Sequence, residues 1–328
     1  MEGRQLLVSP SPHIHSGDSI ERNMYGVIIA LIPALLASFY FFGLGAVVVT
    51  LTSVVSCVLF EFLIAKYLLE LDRLTITDGS AAITGLLLAL NLPSNLPVWI
   101  VVIGAFAAIA IGKMSFGGLG NNIFNPAILG RILLLISFPA QMTTWPTPHQ
   151  LGSYTDATTG ATPLGLMKGI IHHAPDLSLD QIPQTTDLLL GNIGGSLGEV
   201  SAIALLLGFA FLLIRRIITW HIPVAVIVTV FVFGEIMHQV SPEIYAPGLV
   251  HVLTGGVLLG AIFMATDYVT SPMSKGGMLL FGVFIGLITM VIRLFGAYPE
   301  GMSFAILIMN AFTPLINLYM KPKVFGDK

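Results

Sequence analysis

Long apolar runs separated by short polar joints dominate the chain. Ten runs stand out: Met24–Phe42, Gly45–Ala65, Gly79–Leu90, Pro97–Gly112, Ile123–Phe138, Leu197–Ile214, Trp220–His238, Leu249–Ala265, Gly277–Leu294 and Met302–Met320. Runs of roughly 17–25 apolar residues cross a bilayer as helix, because a helix satisfies its own backbone in hydrocarbon. The third run is short and ends in Asn91-Leu92-Pro93-Ser94-Asn95-Leu96-Pro97. A half-length helix of this kind needs protein or a cavity around its freed backbone groups. One polar stretch, residues 139–196, is long and rich in Thr, Pro, Gly and His. Structureless loops of that length are uncommon and usually functional or disordered. The pattern predicts a single membrane domain over 1–328: a first half (24–138), a loop (139–196) and a second half (197–320).

Composition strengthens this reading. Of 328 residues, 55% are hydrophobic and 9% charged. Soluble domains carry about 25% charged residues, so the expected class is an all-α integral membrane protein with about ten transmembrane helices, whose solvent is the lipid bilayer. Basic residues set the orientation. With the N-terminus in the cytoplasm, the inner side holds Arg4, Arg22, Lys66, Arg73, Lys113, Arg215, Arg216, Lys275, Lys321, Lys323 and Lys328, and the outer loops hold Lys168 alone. Such bias places both termini in the cytoplasm and the 139–196 loop outside. Net charge is −3, which gives no footprint for nucleic acid. Cys57 is the single cysteine and lies in an apolar run, so no iron–sulfur or c-type haem ligation is expected, and any electron carrier should be organic. The eight histidines lack metal-ligand spacing, and no metal is expected. Met1–Glu21 is polar and does not read as a signal peptide.

Five runs per half make the two halves inverted in the membrane. Thr84-Gly85 in the third run matches Thr254-Gly255 in the eighth, and Asn125-Pro126 finds a looser echo in Asn310 and Pro314. Inverted repeats with broken helices typify transporters, whose sites lie at the repeat interface.

The outer loop contains Asp156-Ala157-Thr158-Thr159-Gly160-Ala161-Thr162-Pro163-Leu164. It fits D-x-x-[ST]-G-A-T, which resembles the flavinylation motif recognised by periplasmic FMN transferases; the last threonine of such motifs takes flavin mononucleotide (FMN) as a phosphoester. Thr162 offers the hydroxyl, Gly160 and Ala161 let an enzyme approach the backbone, and Asp156 with Thr159 completes the pattern. Thr162-Pro163 also resembles a helix N-cap followed by proline at the first helical position. Capping alone leaves Asp156, Gly160 and Ala161 without a role.

Over nearly its whole length the chain resembles the D subunit of the Rnf electron-transport complex, which is similar to the B subunit of the sodium-translocating NADH:quinone oxidoreductase. Ser11-Pro12-His13, Asn23-Met24, Leu31-Ile32-Pro33, Thr77-Asp78-Gly79-Ser80-Ala81, Phe124-Asn125-Pro126-Ala127, Asp156 to Leu164, and Met264-Ala265-Thr266-Asp267 carry the resemblance. The last motif usually continues with proline, where this chain has Tyr268. A first run starting near residue 24 favours the Rnf member, because the quinone-reducing relative carries a longer N-terminal extension. The resemblance implies two inverted five-helix halves like those of urea transporters, covalent FMN on Thr162, and a bacterial cytoplasmic membrane. It implies electron passage between ferredoxin and NAD coupled to Na+ or H+ movement. The expected partners are the A, B, C, E and G subunits and an FMN transferase. The chain lacks a dinucleotide-binding unit, so it reads as a redox subunit, not a complete enzyme.

A second, non-covalent flavin (riboflavin or another) is expected where Asn121, Asn122 and Asn125 meet Thr266 and Asp267 on the cytoplasmic side. The same groups suit helix capping, and the sequence leaves both roles open. Asn91, Asn310 and Thr313 are expected beneath the outer loop. Glu61, Glu235 and Arg131 are candidates for an ion pathway, since ionisable groups within spans are costly. Glu61 near the cytoplasmic end also suits simple reach to the interface, and Glu199 suits a helix N-terminus. The alternative function is a small-solute channel or transporter, which has no use for the Asp156–Thr162 motif.

Overall fold

The computed structural model describes residues 19–70, 76–174, 177–199 and 201–321. Ser11-Pro12-His13, Arg4, Arg73, Lys323 and Lys328 lie outside the described residues. Among the described residues the structure is helical, and its one extended pairing is an isolated antiparallel bridge between Pro146 and Thr159. Five helices are long and apolar enough to cross a membrane, and three shorter ones, Ser80–Leu90, Pro126–Ser137 and Ala202–Ile214, are apolar too. The perimeter is greasy: Ile214 is 81% exposed and Phe295 64%. Such a surface suits lipid, not water.

Helix α1 (Ile20–Leu63) covers the first two apolar runs. It is interrupted at Gly43, where φ is 55° and ψ −129°. The limbs fold back on each other. Met24 on the first limb packs at Gly79, while Glu61 on the second meets Lys113, which in turn donates to Ser80. Only glycine adopts this backbone cheaply. A Cβ at Gly43 would also fall inside the backbone of Leu151. The freed polar groups at the reversal are satisfied by the 139–196 loop: Leu44 N–H donates to Leu151 O (2.9 Å), and His149 N–H donates to Phe41 O (2.7 Å). The His149 ring packs edge-on to Phe41 and Tyr40.

Helix α2 (Ser80–Leu90) follows a left-handed Gly79 and ends at Asn91. Helix α3 (Val98–Phe106) runs into a π turn at Ala107–Ile111. Helix α4 (Pro126–Ser137) starts at an Asn125 cap with proline first, and α5 (Pro139–Met142) opens the long loop. The loop adds α6 (Pro163–Ile171) and α7 (Thr185–Leu190). Helices α8 (Ala202–Ile214) and α9 (His221–Val240) begin the second half. The eighth apolar run is split into α10 (Gly248–Leu253) and α11 (Val257–Leu259), the latter passing into a π turn at Gly260–Met264. Helices α12 (Lys275–Phe295) and α13 (Met302–Tyr319) complete the bundle.

Two details of the repeat differ from expectation. Thr84 is inside α2 and returns its hydroxyl to Ser80 O (2.9 Å), and Gly85 lets α2 approach Val54 on α1. Thr254, by contrast, sits at the break between α10 and α11, with Gly255 at φ 68°. The local counterpart of Gly255 is therefore Gly79 (φ 79°), six residues earlier than the sequence match suggests. The Asn125–Asn310 echo does become a contact: with its amide oriented to satisfy both neighbours, Asn310 accepts from Asn125 N–H (3.0 Å).

Gly43→Val should strain the reversal by about 1–3 kcal/mol and dislodge the loop seated on it. Thermal unfolding in detergent should fall, and limited proteolysis should cut within 139–196 sooner than in wild type. An unchanged cleavage pattern would show that the loop does not depend on this turn.

Candidate functional site

The Asp156–Thr162 segment is folded, yet its face is open. Asp156, Thr158, Thr159, Gly160 and Ala161 are exposed and Thr162 is half-buried. Two backbone bonds pin the segment to the preceding strand-like stretch: Thr147 N–H to Thr158 O (3.0 Å) and Gly160 N–H to Trp145 O (3.0 Å). Gln150 adds a bidentate grip, donating to Thr158 O (2.8 Å) and accepting from Thr158 N–H (2.7 Å). Behind it, the Tyr154 hydroxyl donates to Leu96 O (2.6 Å), and burial raises its pKa, which keeps the phenol a donor. The geometry leaves Gly160 and Ala161 open to solvent.

Thr162 is the N-cap of α6 and accepts from Gly165 N–H (3.0 Å), with Pro163 at the first helical position. The capping role read from Thr-Pro is thus real. It coexists with an exposed motif. Helix α6 is latched to the bundle by Lys168, whose ammonium donates to Arg293 O (3.1 Å) and Gly296 O at the end of α12. Burial lowers the Lys168 pKa, and these orphan carbonyls replace the water it loses. Leu164 packs where a Cβ on Gly255 would stand.

At the opposite end of the bundle a cleft of about 90 Å³, open to solvent, lies between the halves. Asn122, Asn125, Thr266 and Asp267 all line it, as the sequence suggests. Asn121 does not: it is exposed beside the cleft. The lining amides and hydroxyl are largely spent within the protein. Asn125 caps α4 through Ala127 N–H and Ile128 N–H and donates to Met264 O (3.1 Å). Asn122 donates to Phe124 O (3.1 Å), and Thr266 to Ile262 O (2.6 Å). Thr270 donates to Asp267 (3.1 Å). Lys113 and Ser80 also face the cleft, and the sequence offers Lys113 only as a topological charge.

The buried charges sort into pairs. Glu61 is fully buried and bonded to Lys113 (2.7 Å), so it does not reach for the interface as its position near a span end suggests. Arg131 donates to Ser303 and lies 3.9 Å from Glu199. Glu199 precedes the Ser201 cap of α8 and serves as this ion partner, not as a first-turn acid. Glu235 is half-buried and accepts from Gly248 N–H (3.2 Å) at the start of α10. Arg293 reaches His251 O (2.6 Å), Thr254 O (2.9 Å) and Glu300 (3.0 Å). Glu300 in turn accepts from Gly256 N–H (2.9 Å) and Met302 N–H (2.9 Å). The candidate pathway residues Glu61, Glu235 and Arg131 are therefore not brought together; each has a separate partner. Asn310 and Thr313 also sit elsewhere than expected. Asn310 meets Asn125 and Thr313 donates to Thr270 O, away from the 139–196 loop, whereas Asn91 contacts Met264 but lies between Leu90 and Leu92, which accept from Gly198 N–H and Leu197 N–H just after that loop.

A family model described as the NQR2, RnfD, RnfE family matches residues 7–326. The D subunit of a Na+-translocating ferredoxin:NAD+ oxidoreductase complex from Acetobacterium woodii is 44% identical, with 99% of this chain and 97% of the relative aligned. The D subunit of a proton-translocating ferredoxin:NAD+ oxidoreductase complex from Clostridium ljungdahlii is 41% identical, over 98% and 97%. The D subunit of an ion-translocating oxidoreductase complex from Stutzerimonas stutzeri is 41% identical, over 94% and 92%. Near-complete coverage at these identities means that the chain belongs to the NQR2, RnfD, RnfE family.

Proposed function

We propose that this chain is the flavin-bearing membrane subunit of an ion-translocating ferredoxin:NAD oxidoreductase complex, carrying FMN as a phosphoester on Thr162. The observation that carries the reading is the exposed Asp156–Thr162 motif, complete in all its constrained positions and fastened at the mouth of an apolar helical bundle. The relatives' names support the complex, and they differ between Na+ and H+ at similar identity, so the ion is left to experiment. Other subunits of the complex supply and remove electrons, since one buried cysteine, Cys57, gives this chain no cluster of its own.

Bound FMN supplies a carrier for one or two electrons; the protein supplies position and potential. Gly160 and Ala161 admit the transferase, and Thr162 presents its hydroxyl. Esterification removes the hydroxyl proton and weakens the oxygen as a cap. The phosphate then brings anionic oxygens to the N-terminus of α6, where the helix dipole and free N–H groups favour them. Lys168 holds that helix against the break in the second half. At the other end, the convergence of Asn122, Asn125, Thr266 and Asp267 on one cleft supports a second, non-covalent flavin there. The loop would face outside the bacterial cytoplasmic membrane and both termini inside, as the basic residues suggest.

Intact mass of the chain expressed with an active transferase should exceed the sequence mass by one FMN less water. Thr162→Ala should lack the gain and lose about 1 kcal/mol of capping energy in α6; Thr162→Ser should keep the cap. An unmodified wild-type chain under those conditions would remove the covalent-flavin reading and favour the small-solute channel. Separately, denaturing extraction of the purified chain should release a non-covalent flavin while the covalent one stays fluorescent in the gel band. A flavin-free extract would leave the cleft residues with capping alone.

A further inference from the structure

The polar groups that suggest the inner cleft are mostly committed to helix ends. Lys113 is different. The residue is 2% exposed, lines the cleft, and spends two of its three ammonium N–H groups, on Glu61 (2.7 Å) and on the Ser80 hydroxyl (2.6 Å). Ser80 passes the bond on to Asp78, which also accepts from Ser80 N–H (2.7 Å). The cation is thus fixed rigidly between α1, α2 and the end of the π turn after α3. A buried ammonium is costly unless paired, and Glu61, 0% exposed, supplies the pairing. Among the described residues, no group accepts the third N–H.

We propose that Lys113 contacts the flavin of the inner cleft, donating its remaining N–H to the ligand's carbonyl edge, and that the Lys113–Glu61 pair sets how readily that flavin takes an electron. The inference rests on the second-flavin reading above. A flavin that gains an electron without a proton gains one negative charge. The ammonium offsets that charge, and the Glu61 carboxylate opposes it. Asp78 and Asp267 are the other acids near the cleft and belong to the same field. Removing the cation and removing its partner should therefore act in opposite directions, which a merely structural pair would not do.

The test is a reductive titration of the full-length chain in a Thr162→Ala background, where the non-covalent flavin is the only one observed. Lys113→Met should lower the midpoint potential, changing the reduced-to-oxidised ratio by about tenfold, or about 59 mV for one electron. Glu61→Gln should raise it by a comparable factor. Shifts of the same sign, or none, overturn the proposal while the second flavin stands. If Lys113→Met fails to fold or loses flavin, Glu61→Gln decides, and a fall or no change in potential counts against it. If the wild-type chain holds no non-covalent flavin, the second-flavin reading fails and takes this proposal with it, leaving the Thr162 reading untouched.

Discussion

The Arg293–Glu300 pair holds the second half together. In hydrocarbon every free backbone group costs several kcal/mol, and the break at Thr254-Gly255-Gly256 frees several at once. Arg293 takes the carbonyls of His251 and Thr254 on one side of the break. Glu300 takes Gly256 N–H on the other and Met302 N–H at the start of α13. One ion pair therefore closes three helix ends. Lys168 adds the carbonyls at the end of α12, so the Thr162 helix is seated on the same device. Without the pair, the broken run, the last hairpin and the motif helix would lose a shared anchor.

Much of this is legible in the sequence, and each success has a local cause. Apolar runs long enough for a bilayer stand out by composition alone, and each of the ten contains helix. The Thr162-Pro163 cap rests on two adjacent residues, and the Asn125-Pro126 cap likewise. Four of the five residues expected together at a cleft do converge, because they lie at the ends of apolar runs that the fold brings to one end of the bundle.

The failures are contacts between distant segments. Nothing near Glu61 signals Lys113, which is 52 positions away. An acid and a base, each in or beside an apolar run, are the only hint. Glu199 resembles a first-turn acid because Arg131 is far from it in sequence. The break in the eighth run is hidden because Thr-Gly-Gly lies within an otherwise apolar stretch, whereas the third run announces its end with two prolines. Depth counted along the sequence misplaces Asn310 and Thr313, because packing turns Asn310 towards Asn125 and Thr313 towards Thr270.

The reversal at Gly43 bears on the order in which the protein is made. The first hairpin leaves the ribosome about a hundred residues before its turn can be completed, since Phe41 O and Leu44 N–H find their partners on His149 and Leu151. Until then those two groups must stay hydrated, which holds the turn at the water-facing surface of the bilayer. Arrival of the later segment at the same face of the membrane then finishes the earlier one. The assembly is consequently vectorial but not strictly sequential, and a nascent chain stalled before residue 149 would carry an N-terminal hairpin that has crossed the membrane without being locked.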